Sequence, residues 1–277
     1  MLPFGLISII LFFFIVFNSL YRERFFDSST QQFDAKAEAL SVKLVRYKLN
    51  QPFYDYRLIY PQLGLIHNQN HKNIHTEMKQ LLDTHWMEWP EKELYNNNNN
   101  LDGSWTIIPL YGFGIWCKQF INVLPCLYDF LKKMKGLKVA VISKLKPFSK
   151  LNPHQGWGFH SNKVLRCHYG IVLPYKRTDS YICVMEDIDS LDKSIQYHKQ
   201  NDWIVFDDSK LHYAVNDSNE ERIVLIVDLE RPTLVEKGNA QNNSTEELLQ
   251  FVTELKNCNL GKDEKIPEEY IELCNNL

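Results

Sequence analysis

The 277-residue chain contains no CxxC pair, and its six cysteines lie too far apart to staple a small scaffold or frame a structural zinc site. It has no GxGxxG and no GxxxxGK[ST], so nucleotide-binding α/β folds lose the loop that would cradle a phosphate. An excess of one charge is also missing. The 31 Lys and Arg stand against 34 Asp and Glu, a net charge of -3, which leaves no basic stripe for nucleic acid. No segment repeats. What is present, 44% hydrophobic and 23% charged residues, is the composition of a chain that buries a core, at a length that suits one large domain or two small ones.

Leu2 to Leu20 is a run of nineteen residues without a charge. At about 1.5 Å per helical residue it just crosses a hydrocarbon layer of roughly 30 Å, so the sequence predicts one N-terminal transmembrane helix. A cleaved signal peptide is the alternative, but no basic residue precedes the run. Arg22 and Arg24 follow it, which favours a cytosolic bulk. Sequons at Asn216, Asn242 and Asn243 permit a lumenal one. The side of the membrane stays open.

Helices are expected over 73–87 and 118–135, the second from the spacing of Phe120, Val123, Leu124, Leu127 and Leu131. Asn96 to Asn100 reads as a surface loop. From Leu137 onward the texture is β: LKVAVISKL, KVLRCHYGIVLP, YICVME, DWIVFDD, HYAVND and RIVLIVDL are short runs rich in Val, Ile and aromatics, spaced like an antiparallel sandwich or barrel. A helix over 245–256 and a polar tail follow. The resulting organisation is an anchor at 1–24, a flanking region at 25–104, a β domain at 105–235 and a helical tail at 236–277.

His154 and His212 each stand where a strand meets a loop, and two neutral imidazoles at a barrel mouth can hold a borderline metal with positions left open. Their separation of 58 residues proves nothing alone. Arg166 and His168 alternate with Leu165, Cys167 and Tyr169, so the two polar side chains share one strand face. Such a face either meets solvent on an edge strand or lines a polar cavity with an anionic occupant. Arg222 opens an apolar run, where it needs a carboxylate partner. That partner is Asp207 or Asp208 in a structural ion pair, or a dicarboxylic acid held by the guanidinium fork. Ser143 could add a hydrogen bond to such a ligand.

In chain order, Ser143, NPHQG, VLRCHYGIVLP, DWIVFDDSKLH and ERIVLIVDLERP resemble the aspartyl/asparaginyl β-hydroxylase family. The resemblance runs from Trp105 to Pro232. It implies a mainly β fold with flanking helices, a double-stranded β-helix of the jelly-roll or cupin kind, and Fe(II) with 2-oxoglutarate and O2 as co-substrates. By the same resemblance His154 and His212 match the iron ligands, Arg222 matches the arginine on the distal carboxylate of 2-oxoglutarate, and Ser143, Arg166 and His168 match its other contacts. It also implies a lumenal location.

The chain departs from the animal members in two places, and from the bacterial HxD members at a third. Eleven residues separate His154 from Arg166, more than in the animal enzymes, and His160 within them is a rival iron ligand. Gly156 stands where a 2-His-1-carboxylate site would carry its acid, a lack the animal enzymes share. The helical repeats of the animal members are missing. The acceptor implied by the family is a protein Asp or Asn. A related branch of membrane-anchored lipid A hydroxylases makes a lipid acyl chain the alternative. A membrane-tethered binding module without turnover, and a zinc hydrolase lacking a general base, are the readings from other classes. Asp207 and Asp208 are expected to shape the turn before His212 or to order its imidazole, and Cys167 to pack.

Overall fold

The computed structural model of the protein describes residues 51–68, 71–80, 86–95, 104–241 and 245–260, all within a unit that begins at Asn50. The expected membrane helix at 2–20, the asparagine run and the sequons at 242 and 243 lie outside the described residues. No described helix is long and apolar enough to cross a membrane.

The described residues are mainly β. In chain order the strands are β1 (Phe53–Tyr54), β2 (Met87–Glu88), β3 (Trp105–Gly112), β4 (Ile115–Trp116), β5 (Leu137–Leu145) and β6 (Ser149–Lys150). They continue as β7 (Val164–Val172), β8 (Ser180–Met185), β9 (Lys193–Tyr197), β10 (Trp203–Phe206), β11 (Leu211–Asn216) and β12 (Arg222–Glu230). The larger sheet runs β1-β10-β7-β12-β5-β3-β2, with β4 on β3, and the smaller runs β6-β11-β8-β9. From β5 onward the chain passes back and forth between the two sheets, and the pairings between these strands are antiparallel.

Burial on both faces explains why β5, β7 and β12 read as nearly continuous apolar runs rather than as alternation. The inward side of β12 carries Arg222 and Ile226, and the outward side Ile223, Leu225 and Val227, all buried. Outward residues are covered by the N-terminal elements. Tyr169 meets the rings of His67 and His75, the latter on α1 (His71–Gln80), and Trp203 meets Phe130 on α2 (Pro125–Lys132). The Tyr60 hydroxyl donates to the carbonyls of Leu229 and Glu230.

Two expected helices come out shorter. The first is α1, and Met87 and Glu88 pair with β3, because Trp89 next to them is drawn into the core between Trp105 and Trp157. The second divides into a 3-10 turn at Lys118–Phe120 and α2, which starts at Pro125. Proline has no N–H for a helix interior but fits the first turn. The free amides of Cys126 and Leu127 there donate to Glu77 of α1 at 2.9 and 3.0 Å. Strand β3 escapes a sequence reading because Pro109 sits inside it, and its register against β5 slips there. Further helices are the single turn α3 (Gly158–Ser161) and α4 (Thr245–Leu260), beside single helical turns at Tyr56–Ile59 and Leu65–Asn68. Asn216 is fully buried and donates to three backbone carbonyls, so that sequon is closed to a glycan in the folded chain.

Candidate active site

Ser143, His154, Arg166, His168, His212 and Arg222 all line one pocket between the facing sides of the two sheets. Strand β7 is central rather than an edge, flanked by β10 and β12, so Arg166 and His168 face this cavity and not solvent. Trp105, Phe206 and Ile226 supply apolar wall.

His154 and His212 come together through their backbones. Each amide donates to the other's carbonyl, at 2.9 and 2.8 Å. Directly opposed residues of an antiparallel pair point to the same side, and here the two ring centroids are 4.4 Å apart. The Nδ1 of each ring lies 2.8 Å from the carbonyl oxygen two residues before it, Asn152 for His154 and Lys210 for His212. A carbonyl only accepts, so each Nδ1 carries the proton and each Nε2 keeps a lone pair. Burial depresses both rings, that of His154 well below the ordinary histidine value and that of His212 to about 4. Neutral rings with a fixed tautomer and a lone pair on Nε2 are the form that binds a metal.

Among the described residues no cluster of three or more His, Cys, Asp and Glu completes a cage. The nearest carboxylate is that of Asp208, whose Oδ1 lies 3.5 Å from His212 Nε2. It stands on the Nε2 side of the ring, so it does not order the imidazole from behind. It is fully buried and ion-paired to Arg166 Nη1 at 2.8 Å. A Cβ built on Gly156 would overlap this same carboxylate. Glycine at 156 and aspartate at 208 are therefore two sides of one packing solution, and Gly156→Ala is expected to cost about 3 kcal/mol of stability in denaturant melts. Asp207 shapes the turn instead, accepting from Ser209 N and Oγ, and pairs with Arg231. His160 stays away from the pair; it is buried, with Nε2 3.4 Å from Asp228.

The two arginines differ. Arg166 gives Nε and Nη2 to Asp228 at 2.8 Å each and Nη1 to Asp208. Burial opposes its charge, but the two carboxylates outweigh that and hold it above the ordinary arginine value. Arg222 is 1% exposed, its Nε and Nη1 have no hydrogen-bond partner, and no carboxylate lies within ion-pair distance of it among the described residues. Asp207 and Asp208, its possible partners by sequence, are taken by Arg231 and Arg166. Burial alone pulls its pKa down to about 9. Beside it, His168 Nε2 also lacks a partner. Ser143 Oγ accepts from Trp105 Nε1 at 3.0 Å, which leaves the hydroxyl hydrogen to donate.

The burial of these rings has a pH consequence. His154, His168, His198 and His212 are all pushed down by burial and stay neutral in the folded state, whereas unfolded histidines protonate below about 6.5. Two buried acids oppose this: Glu91, raised by burial to about 7, and Asp208, raised by burial to about 6, take up protons on the folded side. Near pH 5.5 the unfolded chain thus holds four extra protons and the folded chain two, a net of two. Stability of the metal-free protein should fall as pH falls, by about 3 kcal/mol per pH unit there. Urea melts at pH 7 and 5.5 check it; stability that is flat or rising toward acid would contradict the neutral rings.

Sequence reasoning passes over Trp105, Glu91 and His198. Trp89 lies stacked between Trp105 and Trp157, at 4.3 and 5.1 Å, and Glu91 accepts from the indoles of Trp89 and Trp157. Trp89, Trp105 and Trp157 are far apart in sequence, and no local pattern groups them into this wall.

Residues 68–232 match the sequence model of the family described as aspartyl/asparaginyl beta-hydroxylase. An ornithine lipid ester-linked acyl 2-hydroxylase of Rhizobium tropici is 30% identical over 131 residues, 47% of this chain and 43% of the relative. The chain therefore spans less than half the length of that curated relative. Among solved structures, HygX from Streptomyces hygroscopicus with nickel and 2-oxoglutarate bound aligns with 64% of this chain and 89% of its own, at 10% identity and a TM-score of 0.40. A prolyl-4-hydroxylase from Pseudomonas putida aligns with 58% of this chain and 85% of its own, at 11% identity and a TM-score of 0.37.

Proposed function

Because the chain belongs to the aspartyl/asparaginyl β-hydroxylase family, we propose that it is an Fe(II)- and 2-oxoglutarate-dependent oxygenase that hydroxylates an unactivated C–H bond. The observation that carries this reading is Arg222, a fully buried guanidinium with no anion of its own, facing the cavity that also holds the histidine pair. A buried charge left alone is costly unless a ligand completes it. A planar carboxylate matches its fork.

Bound iron and 2-oxoglutarate would supply O2 activation and conversion of the oxo acid to succinate and CO2. The chain's own residues do the rest. His154 and His212 would hold the metal through Nε2, with Asp208 beside them, tethered by Arg166. Arg222 would clamp the distal carboxylate, with Ser143 and His168 as neutral donors. Trp105, Phe206 and Ile226 exclude water from the reacting side of the cavity. The alternation of strands between two sheets supports a double-stranded β-helix for this domain, spanning 105–235 between a flanking region at 25–104 and a tail at 236–277.

For the acceptor, the acyl 2-hydroxylase relative and the uncharged run at 2–20 support a lipid acyl chain met at a membrane surface. The family's description supports a protein Asp or Asn as the second reading. Calorimetry of protein loaded with Ni(II), a redox-inert stand-in for iron, tests the shared core. One equivalent of 2-oxoglutarate should bind only when metal is present. Binding by neither metal-free nor loaded protein would sink the reading. Mass spectrometry of an ornithine lipid and of an Asp- and Asn-containing peptide after turnover then separates the acceptors, by which one gains an oxygen atom.

A further inference from the structure

We propose that His198, backed by Ser180, is a positioning residue that fixes His168 as a hydrogen-bond donor to the carboxylate clamped by Arg222. The inference rests on the functional reading above and adds two residues that it does not use.

His168 Nδ1 lies 3.3 Å from His198 Nε2, and His198 Nδ1 lies 3.0 Å from Ser180 Oγ. The ring planes are parallel within 9°, and centroids 5.6 Å apart with a 3.3 Å nitrogen–nitrogen contact place the rings edge to edge, in the plane where imidazole N–H bonds and lone pairs lie. The three side chains belong to residues at most 4% exposed. Their placement is built. Gly170, two residues after His168 on β7, has no side chain, and a Cβ there would overlap the Lys199 carbonyl. Asn201 N donates to Gly170 O at 2.9 Å, and His198 N donates to Ser180 O at 3.0 Å. The segment after β9 is thereby pressed against β7 with His198 facing His168.

Each bond of the chain holds one hydrogen. Without a ligand the chain can run in either direction, because a serine hydroxyl both donates and accepts. A carboxylate at His168 Nε2 removes that freedom. His168 must then carry its hydrogen on Nε2, Nδ1 must accept, His198 must donate from Nε2, and His198 Nδ1 must accept from Ser180. No ring needs to become charged. Arg222, Arg166, His198 and His212 oppose a charge on His168, and Arg222 opposes one on His198, with burial the larger cause for both. Neutral donors aligned in this way complement an anion beside a fixed cation without a proton taken from solvent.

The test uses full-length protein loaded with Ni(II) and titrated with 2-oxoglutarate. His198→Leu removes the donor to His168 Nδ1, and the dissociation constant should rise about tenfold, with metal affinity unchanged. His198→Gln, whose amide can reach the same nitrogen, should restore most of the loss. In steady-state turnover the loss should appear in KM for 2-oxoglutarate and not in kcat. Nitrogen-edited NMR of zinc-loaded protein with 2-oxoglutarate should find the His168 hydrogen on Nε2. Unchanged affinity in His198→Leu, or a His168 hydrogen on Nδ1 in the complex, overturns the proposal. If His198→Leu does not fold, the Gln variant, Ser180→Ala and the NMR measurement on wild type still decide it. Wild type that binds no 2-oxoglutarate would instead bring down the functional reading itself.

Discussion

Replacing Arg222 with methionine should make the ligand-free protein more stable and nearly abolish its affinity for 2-oxoglutarate. The two signs follow from one fact, that this guanidinium is buried with no carboxylate to answer it. Folding must desolvate the charge, and burial is the whole cause of its lowered pKa. Methionine fills a similar volume without that cost, so the melting temperature should rise, as buried charges replaced by apolar side chains often allow. Ligand binding goes the other way. Losing a two-pronged, charge-assisted contact in a closed site costs about 3 to 4 kcal/mol, a weakening of roughly 100- to 1000-fold. A purely structural arginine would show the opposite stability effect, because its removal would orphan a carboxylate. Thermal melts and calorimetry on the same preparation separate the two.

This contrast also marks where the sequence stopped being informative. Arg222 is visible as an arginine opening an apolar strand, and the faces of β7 follow from simple alternation, since neither depends on distant residues. The identity of a partner does. Arg166 is answered by Asp228, 62 residues away, and by Asp208, and no local pattern says that these acids choose Arg166 over Arg222. The role of Gly156 is hidden for the same reason: a missing side chain is legible, but the carboxylate that fills its space comes from the turn before β11. Helix ends depart from locally helical spacing where Pro125 and Trp89 impose tertiary demands on it. His198 has no sequence signal of its own; its meaning comes from the close approach that Gly170 permits.

The second large effect concerns the histidine pair. His154→Ala and His212→Ala should each weaken metal binding by more than about 100-fold, since a two-ligand site has no spare donor and loss of even a supporting contact costs 10- to 100-fold. Neither variant should unfold the protein. The two segments are tied by reciprocal backbone hydrogen bonds that do not involve the rings. Removing a buried neutral ring leaves a cavity costing about 2 to 3 kcal/mol, within the margin of an ordinary domain. A cobalt titration followed by visible absorption reports the affinity, and retention of the cooperative melt reports the fold. Near-wild-type cobalt affinity in both variants would move the metal elsewhere.

Succinate release is the measurement that bears most directly on the account. The protein, supplied with Fe(II), ascorbate, 2-oxoglutarate and O2, should form succinate and CO2 in equal amounts. It should lose this activity when iron is withheld, in His154→Ala and His212→Ala, and in Arg222→Met at moderate 2-oxoglutarate. Succinate formed equally well without iron, or at the wild-type rate in the histidine variants, would contradict the assignment of this cavity as an oxygenase site.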